Sequence, residues 1–93
     1  KGLMWRRQKL GNKGMVFIFH DKPKNRHFHM RNTFIPLDII FANSYGKIHH
    51  IHSNAKPHDK TNIHSKYPTS IAFEVDGNWT KKNNIQIGDY ISF

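Results

Sequence analysis

The chain has 93 residues, 37% of them apolar, and fifteen Lys and Arg against six Asp and Glu give a net charge of +9. That length fits one domain with a modest core that must draw on its twelve aromatics, and no apolar run approaches the ~20 residues of a membrane-spanning helix. The absence of cysteine excludes a disulfide framework, a thiolate metal cage and a cysteine nucleophile.

Leu3, Met4, Arg7 and Leu10 recur at helical spacing, which predicts a short helix over residues 1–10, with Gly11 and Gly14 bracketing the turn after it. Lys1 in place of an initiator methionine reads as a processed or trimmed start. Met15 to Phe19 is continuously apolar and aromatic, the pattern of a strand buried on both faces. Asp21-Lys22-Pro23-Lys24-Asn25 is a polar turn. From Phe28 to Ile35 the residues alternate, with Phe28, Met30, Asn32 and Phe34 on one face and His29, Arg31, Thr33 and Ile35 on the other. Pro36, unable to donate to a sheet ladder, ends or bends that strand. Leu37 to Ala42 is the next strand, Asn43-Ser44-Tyr45-Gly46 a hairpin turn with Gly46 free to take positive φ, and Lys47 to His52 the antiparallel return.

Ser53 to Thr69 loses periodicity and carries Pro57 and Pro68, so it reads as a long loop, a feature that in small domains is often functional. Ser70 to Val75 alternates again, with Ile71, Phe73 and Val75 on one face. Asp76-Gly77 turns the chain, Asn78 or Thr80 caps a short helix through Lys82, and Ile87 to Phe93 is a turn leading into a last strand. Short strands separated by turn signals, with only minor short helices, predict an all-β, single-domain architecture over residues 1–93, sandwich or barrel-like.

Polar residues are densest around Pro36. Arg31, Asn32, Thr33 and Asp38 lie within eight positions, framed by strand formers. As a ligand site, Arg31 would hold an anion, Asn32 and Thr33 would donate and accept hydrogen bonds, and Asp38 would accept from hydroxyls or amines. As a structural corner, Asn32 and Asp38 would instead satisfy loose backbone N–H groups. A lone carboxylate without a fixed partner does not define an acid–base catalyst. Arg6 beside Trp5 is a further candidate for anion or sugar contact, although Trp5 and Trp79 also supply ring area that a small core needs.

Eight histidines stand in the chain: His20, His27, His29, His49, His50, His52, His58 and His64. His27 with His29, and His50 with His52, are spaced to share a strand face, and His58, Asp59 or His64 would be the third ligand of a metal site. No zincin or zinc-finger spacing is present, and surface enrichment explains the adjacent His49 and His50 equally well. The basic residues are dispersed, with no run of five like charges and no nucleic-acid motif, so the +9 charge predicts at most non-specific attraction to nucleic acid or anionic surfaces. There is neither a nucleophile elbow nor a glycine-rich phosphate loop.

Gly2-Leu3-Met4-Trp5-Arg6, Gly14-Met15-Val16-Phe17-Ile18-Phe19, and the run from Phe28 to Phe41 with Met30-Arg31-Asn32-Thr33-Phe34-Ile35-Pro36-Leu37-Asp38 resemble the domain of unknown function 192 family. Ile51 to Pro57, Ala72-Phe73-Glu74-Val75 with Gly77, and Ile85-Gln86-Ile87-Gly88-Asp89 are similar to that family's later half, so the resemblance covers essentially the whole chain. It implies a small β-sandwich or barrel-like domain, an exported or periplasmic location, and no settled reaction, ligand or cofactor. Arg6, Met30, Arg31, Asn32, Thr33, Pro36, Leu37, Asp38, Glu74 and Gly77 occupy its signature positions. Three departures stand out: His29 replaces the usual Trp, His58 replaces a Cys of some members, and the family's N-terminal strand before Gly2 is missing. An edge left open in that way would be filled by another copy or not at all, which leaves the oligomeric state open.

The expected function is that of a non-enzymatic β domain binding a small ligand or a protein partner through Arg6, Arg31, Asn32, Thr33 and Asp38. No catalytic residue, cofactor or metal ligand is assigned. The alternatives are a basic nucleic-acid or anionic-surface binder and a histidine-based metal-binding protein.

Overall fold

The computed structural model describes residues 15–30, 35–59 and 62–91. They form six strands and one helical turn: β1 (Met15–Ile18), β2 (His27–Phe28), β3 (Leu37–Ala42), β4 (Ile48–Ala55), β5 (Ile63–His64), β6 (Ile71–Asp76) and α1 (Trp79–Lys82). Four strands make one antiparallel sheet in the order β1-β6-β3-β4, and β2 and β5 make a second.

β3 is the centre of the large sheet because it can be buried on both faces. All six of its residues are buried, and it pairs with β4 on one side and β6 on the other. Its alternation divides the core in two. Ile40 and Ala42 join Ile48, Ile71, Phe73, Val75 and Ile91 on one face. Leu37, Ile39 and Phe41 join Met30, Ala55, Ile63 and Ala72 on the other, with Phe17, Phe19 and Phe28 packed against them. The β2–β5 ribbon therefore covers the second face through Phe28 and Ile63, giving a two-layer sandwich. Each fully buried Ile, Leu or Phe contributes about 1.5–3 kcal/mol.

The expectation of doubly buried character for Met15 to Phe19 is corrected here. β1 is an edge strand that pairs with β6, and Met15 and Ile18 are 55% and 43% exposed. An apolar run measures a demand for burial but does not rank strands within a sheet, and β3 takes the central place. The predicted loop from Ser53 to Thr69 is shorter than expected, because β4 continues to Ala55 and β5 lies inside it. Of the alternating Phe28 to Ile35 segment, Phe28 belongs to β2 and Met30 N–H donates to the Asp59 carbonyl at 2.8 Å, while residues 31–34 lie outside the described ones. The predicted last strand is an isolated bridge between Lys47 and Tyr90. The helix expected over residues 1–10 falls outside the described residues.

The β3–β4 hairpin forms as its turn residues predict. Asn43 Oδ1 accepts from the Tyr45 and Lys47 N–H groups, and Gly46 takes φ 85°, where a side chain would also collide with the Ile91 carbonyl. Arg26 anchors the start of β2: its guanidinium lies 3.9 Å over the Phe19 ring, donates to the Thr69 carbonyl, and pairs with Asp21 at 2.6 Å. Hydrogen bonds from Arg26 and Lys24, with their charges, hold the Asp21 carboxyl well below the usual carboxylate range.

Candidate functional site

Asp38 is the one polar residue in β3, and it is fully buried. A carboxylate in that position must be paired, and the chain around it is bent to do so. Between the Leu37–Ala55 and Ile39–His52 pairs the register of β4 shifts, so two β4 residues oppose Asp38. The bulge puts Asn54 at φ 52° and turns its N–H onto Asp38 Oδ1 at 2.8 Å. At the end of β6, Gly77 N–H still donates to the Pro36 carbonyl at 3.0 Å, and Asn78 then turns at φ 69°. Asn78 N–H donates to Asp38 Oδ1 at 3.1 Å, while the Thr80 N–H and hydroxyl donate to Oδ2 at 3.0 and 2.6 Å.

Sequence reasoning placed the cap of α1 in Asn78 or Thr80. Asn78 is the N-cap residue but makes no side-chain cap hydrogen bond. The open N–H groups of the turn are satisfied by Asp38, from a strand remote in sequence. With both oxygens engaged internally, the Asp38 carboxylate holds the backbone in place rather than pointing to solvent.

Above this hub lies a cleft of about 310 Å³ lined by Ile35, Pro36, Asn54, Asp76, Gly77 and Asn78. Both Asn residues that Asp38 holds are in its wall, and the Asn54 side-chain amide donates to Asn78 Oδ1 across it. Gly77 has no room for a side chain: a Cβ would sit 2.5 Å from Asn54 Oδ1 and 3.0 Å from Pro36 Cβ. Asp76 Oδ1 is buried and has no hydrogen-bond partner among the described residues. An unsatisfied buried acceptor costs about 1–3 kcal/mol, more when charged, so it calls for a further donor. Two left-handed non-glycine residues beside an orphan carboxylate oxygen are local costs of the kind that functional sites retain.

A larger depression of about 470 Å³ is lined by Ile18, Phe19, Asp21, Pro23, Ser44, Ser70 and Ile71. Among the described residues lining it the charged group is Asp21, already paired with Lys24 and Arg26. The smaller cleft is therefore the better candidate, because it carries the unmet polar demand.

Of the residues singled out from sequence, Arg6, Arg31, Asn32 and Thr33 lie outside the described residues, and Asp38 lies beneath the cleft. Asn54 and Asp76 were not singled out, because a bulge residue and a strand-end carboxylate carry no local mark. Only the pairing of β4 and β6 with β3 brings them together.

The histidines are arranged differently from the metal site that the alternative reading requires. Among the described residues no group of three or more potential ligands gathers. His50 stacks on Phe41 at 5.8 Å, and burial pulls its imidazole below the ordinary value, helped by Lys66, His52 and His49. His49 Nε2 lies 2.8 Å from Thr69 Oγ1. The Thr69 hydroxyl gives its single proton to the Tyr67 carbonyl, so His49 is the donor to Thr69, and burial lowers its pKa too.

The whole chain, residues 1–93, matches the model of domain of unknown function 192, described as an uncharacterized ACR. No curated protein matches it significantly. Among solved structures, a protein of unknown function from Novosphingobium aromaticivorans is 36% identical, with a TM-score of 0.81 over 86% of this chain and 56% of that one. A protein from Sinorhizobium meliloti, described provisionally as a transcription regulator, is 35% identical, with a TM-score of 0.79 over 83% of this chain and 59% of that one. The chain thus spans less than two thirds of the length of either relative.

Proposed function

The chain belongs to the domain of unknown function 192 family, which brings no activity with it, and we propose that this member is a non-enzymatic binding domain for a small polar ligand. Its site is the cleft of Pro36, Asn54, Asp76, Gly77 and Asn78. The observation that carries the reading is the buried Asp76 Oδ1, which has no hydrogen-bond partner among the described residues. A ligand group that donates a hydrogen bond, an amine or a hydroxyl, would remove that cost on binding. Ile35 and Pro36 offer an apolar wall for the ligand's carbon skeleton. The described residues lining the cleft include no nucleophile beside a base, which favours binding over catalysis. Asp38 is the positioning residue of this site. Arg31, Asn32 and Thr33, just before Ile35 in the chain, and Arg6 are its further proposed contacts.

A thermal-shift screen of small amines, polyols and amino acids tests the reading, since a true ligand raises the melting temperature with the logarithm of its concentration over Kd. A hit abolished by Asp76→Ala in a folded variant is the expected result. No hit, or a hit indifferent to Asp76→Ala, overturns it.

The +9 charge and the description of the Sinorhizobium meliloti relative favour a second reading, binding of nucleic acid. It predicts oligonucleotide affinity that falls steeply with salt. Absent or salt-insensitive binding removes it.

A further inference from the structure

The β2–β5 ribbon sets His27 directly opposite His64. In this ribbon Ser65 N–H donates to the Arg26 carbonyl at 2.8 Å, so Arg26–Ser65 is a hydrogen-bonded position. The next pair, His27–His64, is then a non-hydrogen-bonded one, where facing side chains come closest. Phe28 and Ile63 turn inward to the core and Ser65 is buried, so the alternation sends both imidazoles outward, where they are exposed. Their ring centroids are 6.1 Å apart and inclined at 49°.

That separation is within a ring rotation of a shared metal ion. With metal–nitrogen bonds of about 2.0–2.1 Å, two imidazoles on one tetrahedral ion place their ring centres roughly 5.2 Å apart, so rotation of the two exposed rings closes a gap of about 1 Å. The geometry points to a two-histidine site for a divalent transition metal, zinc or copper, formed by His27 and His64 with water completing the coordination shell. Imidazole nitrogen suits both ions. The pair is preorganised by two strands already held in the sandwich, so chelation needs only ring rotation. Sequence spacing pointed to His27 with His29 along one strand, whereas the ribbon pairs His27 with a residue from the other strand.

Titration of the untagged, chelator-treated full chain with Zn²⁺, followed by calorimetry, tests this. One equivalent of Zn²⁺ is expected to bind and to raise the melting temperature. His27→Gln and His64→Gln should each weaken that equivalent roughly a hundredfold, the low end of what tethering two ligands gives. The exposed His20→Gln is the control and should leave it unchanged. Both rings of the pair are exposed, so melting of the metal-free variants should match the parent, separating a lost ligand from a lost fold. No binding, loss shared equally by His20→Gln, or indifference to either His27→Gln or His64→Gln overturns the inference.

Discussion

Asp38 and Thr80 lie 42 positions apart in the chain and share two hydrogen bonds, from the Thr80 N–H and hydroxyl to the same carboxylate oxygen. The other oxygen holds the Asn54 and Asn78 N–H groups. One buried side chain thus ties the central strand to the β4 bulge and to the turn after β6. Asp38→Ala leaves three backbone N–H groups without their acceptor, at about 1–3 kcal/mol each where they stay dry. Loss of at least about 3 kcal/mol is expected in urea unfolding. A midpoint equal to that of the parent would show that the hub is not structural.

Gly77→Ala tests the floor of the cleft. The new Cβ meets Asn54 Oδ1, which can swing, and Pro36, which cannot. A loss of about 1–3 kcal/mol, typical of overpacking, is expected, together with loss of whatever ligand the screen identifies. Unchanged melting and unchanged binding would mean the close approach is dispensable.

Glu74 on β6 is partly buried, and desolvation raises its pKa. A carboxyl whose folded pKa lies above its unfolded one favours the folded state below about pH 4.5, the unfolded value. That contribution is lost as pH rises through the folded pKa, so at neutral pH the charged Glu74 is a liability. Glu74→Gln should raise the melting temperature at pH 7, modestly because solvent screens the group, with the gain gone by pH 4. Denaturation curves at the two pH values decide it, and equal effects at both would be fatal to the argument.

His49 and His50 have the opposite sign. Burial lowers both pKa values, so the neutral rings support the fold above about pH 6.5 and that support is lost as pH falls through the folded pKa. Melting temperature should decline from pH 7 to pH 5, and the decline should be shallower in His50→Gln, whose side chain stays uncharged at that position. A slope identical to the parent's would place the acid sensitivity elsewhere.

Much of the architecture is legible in the sequence. Period-two alternation located β6, and the Asn43–Gly46 turn fixed the β3–β4 hairpin, because both signals are local: pleat geometry and backbone φ belong to neighbouring residues. The same local chemistry marked Asp38 as a polar residue that had to find partners. Its partners were not legible. Asn54, Asn78 and Thr80 reach it only through strand pairing, and the choice of β3 over β1 as the doubly covered strand is a competition for burial across the whole chain. His27 and His64 teach the same lesson, since register between strands is set by the hydrophobic faces they bury and not by the histidines themselves. Sequence alone determined which residues want a strand, a turn or a polar partner. Tertiary structure decided who meets whom, because the contacts that settle it join residues far apart in the chain.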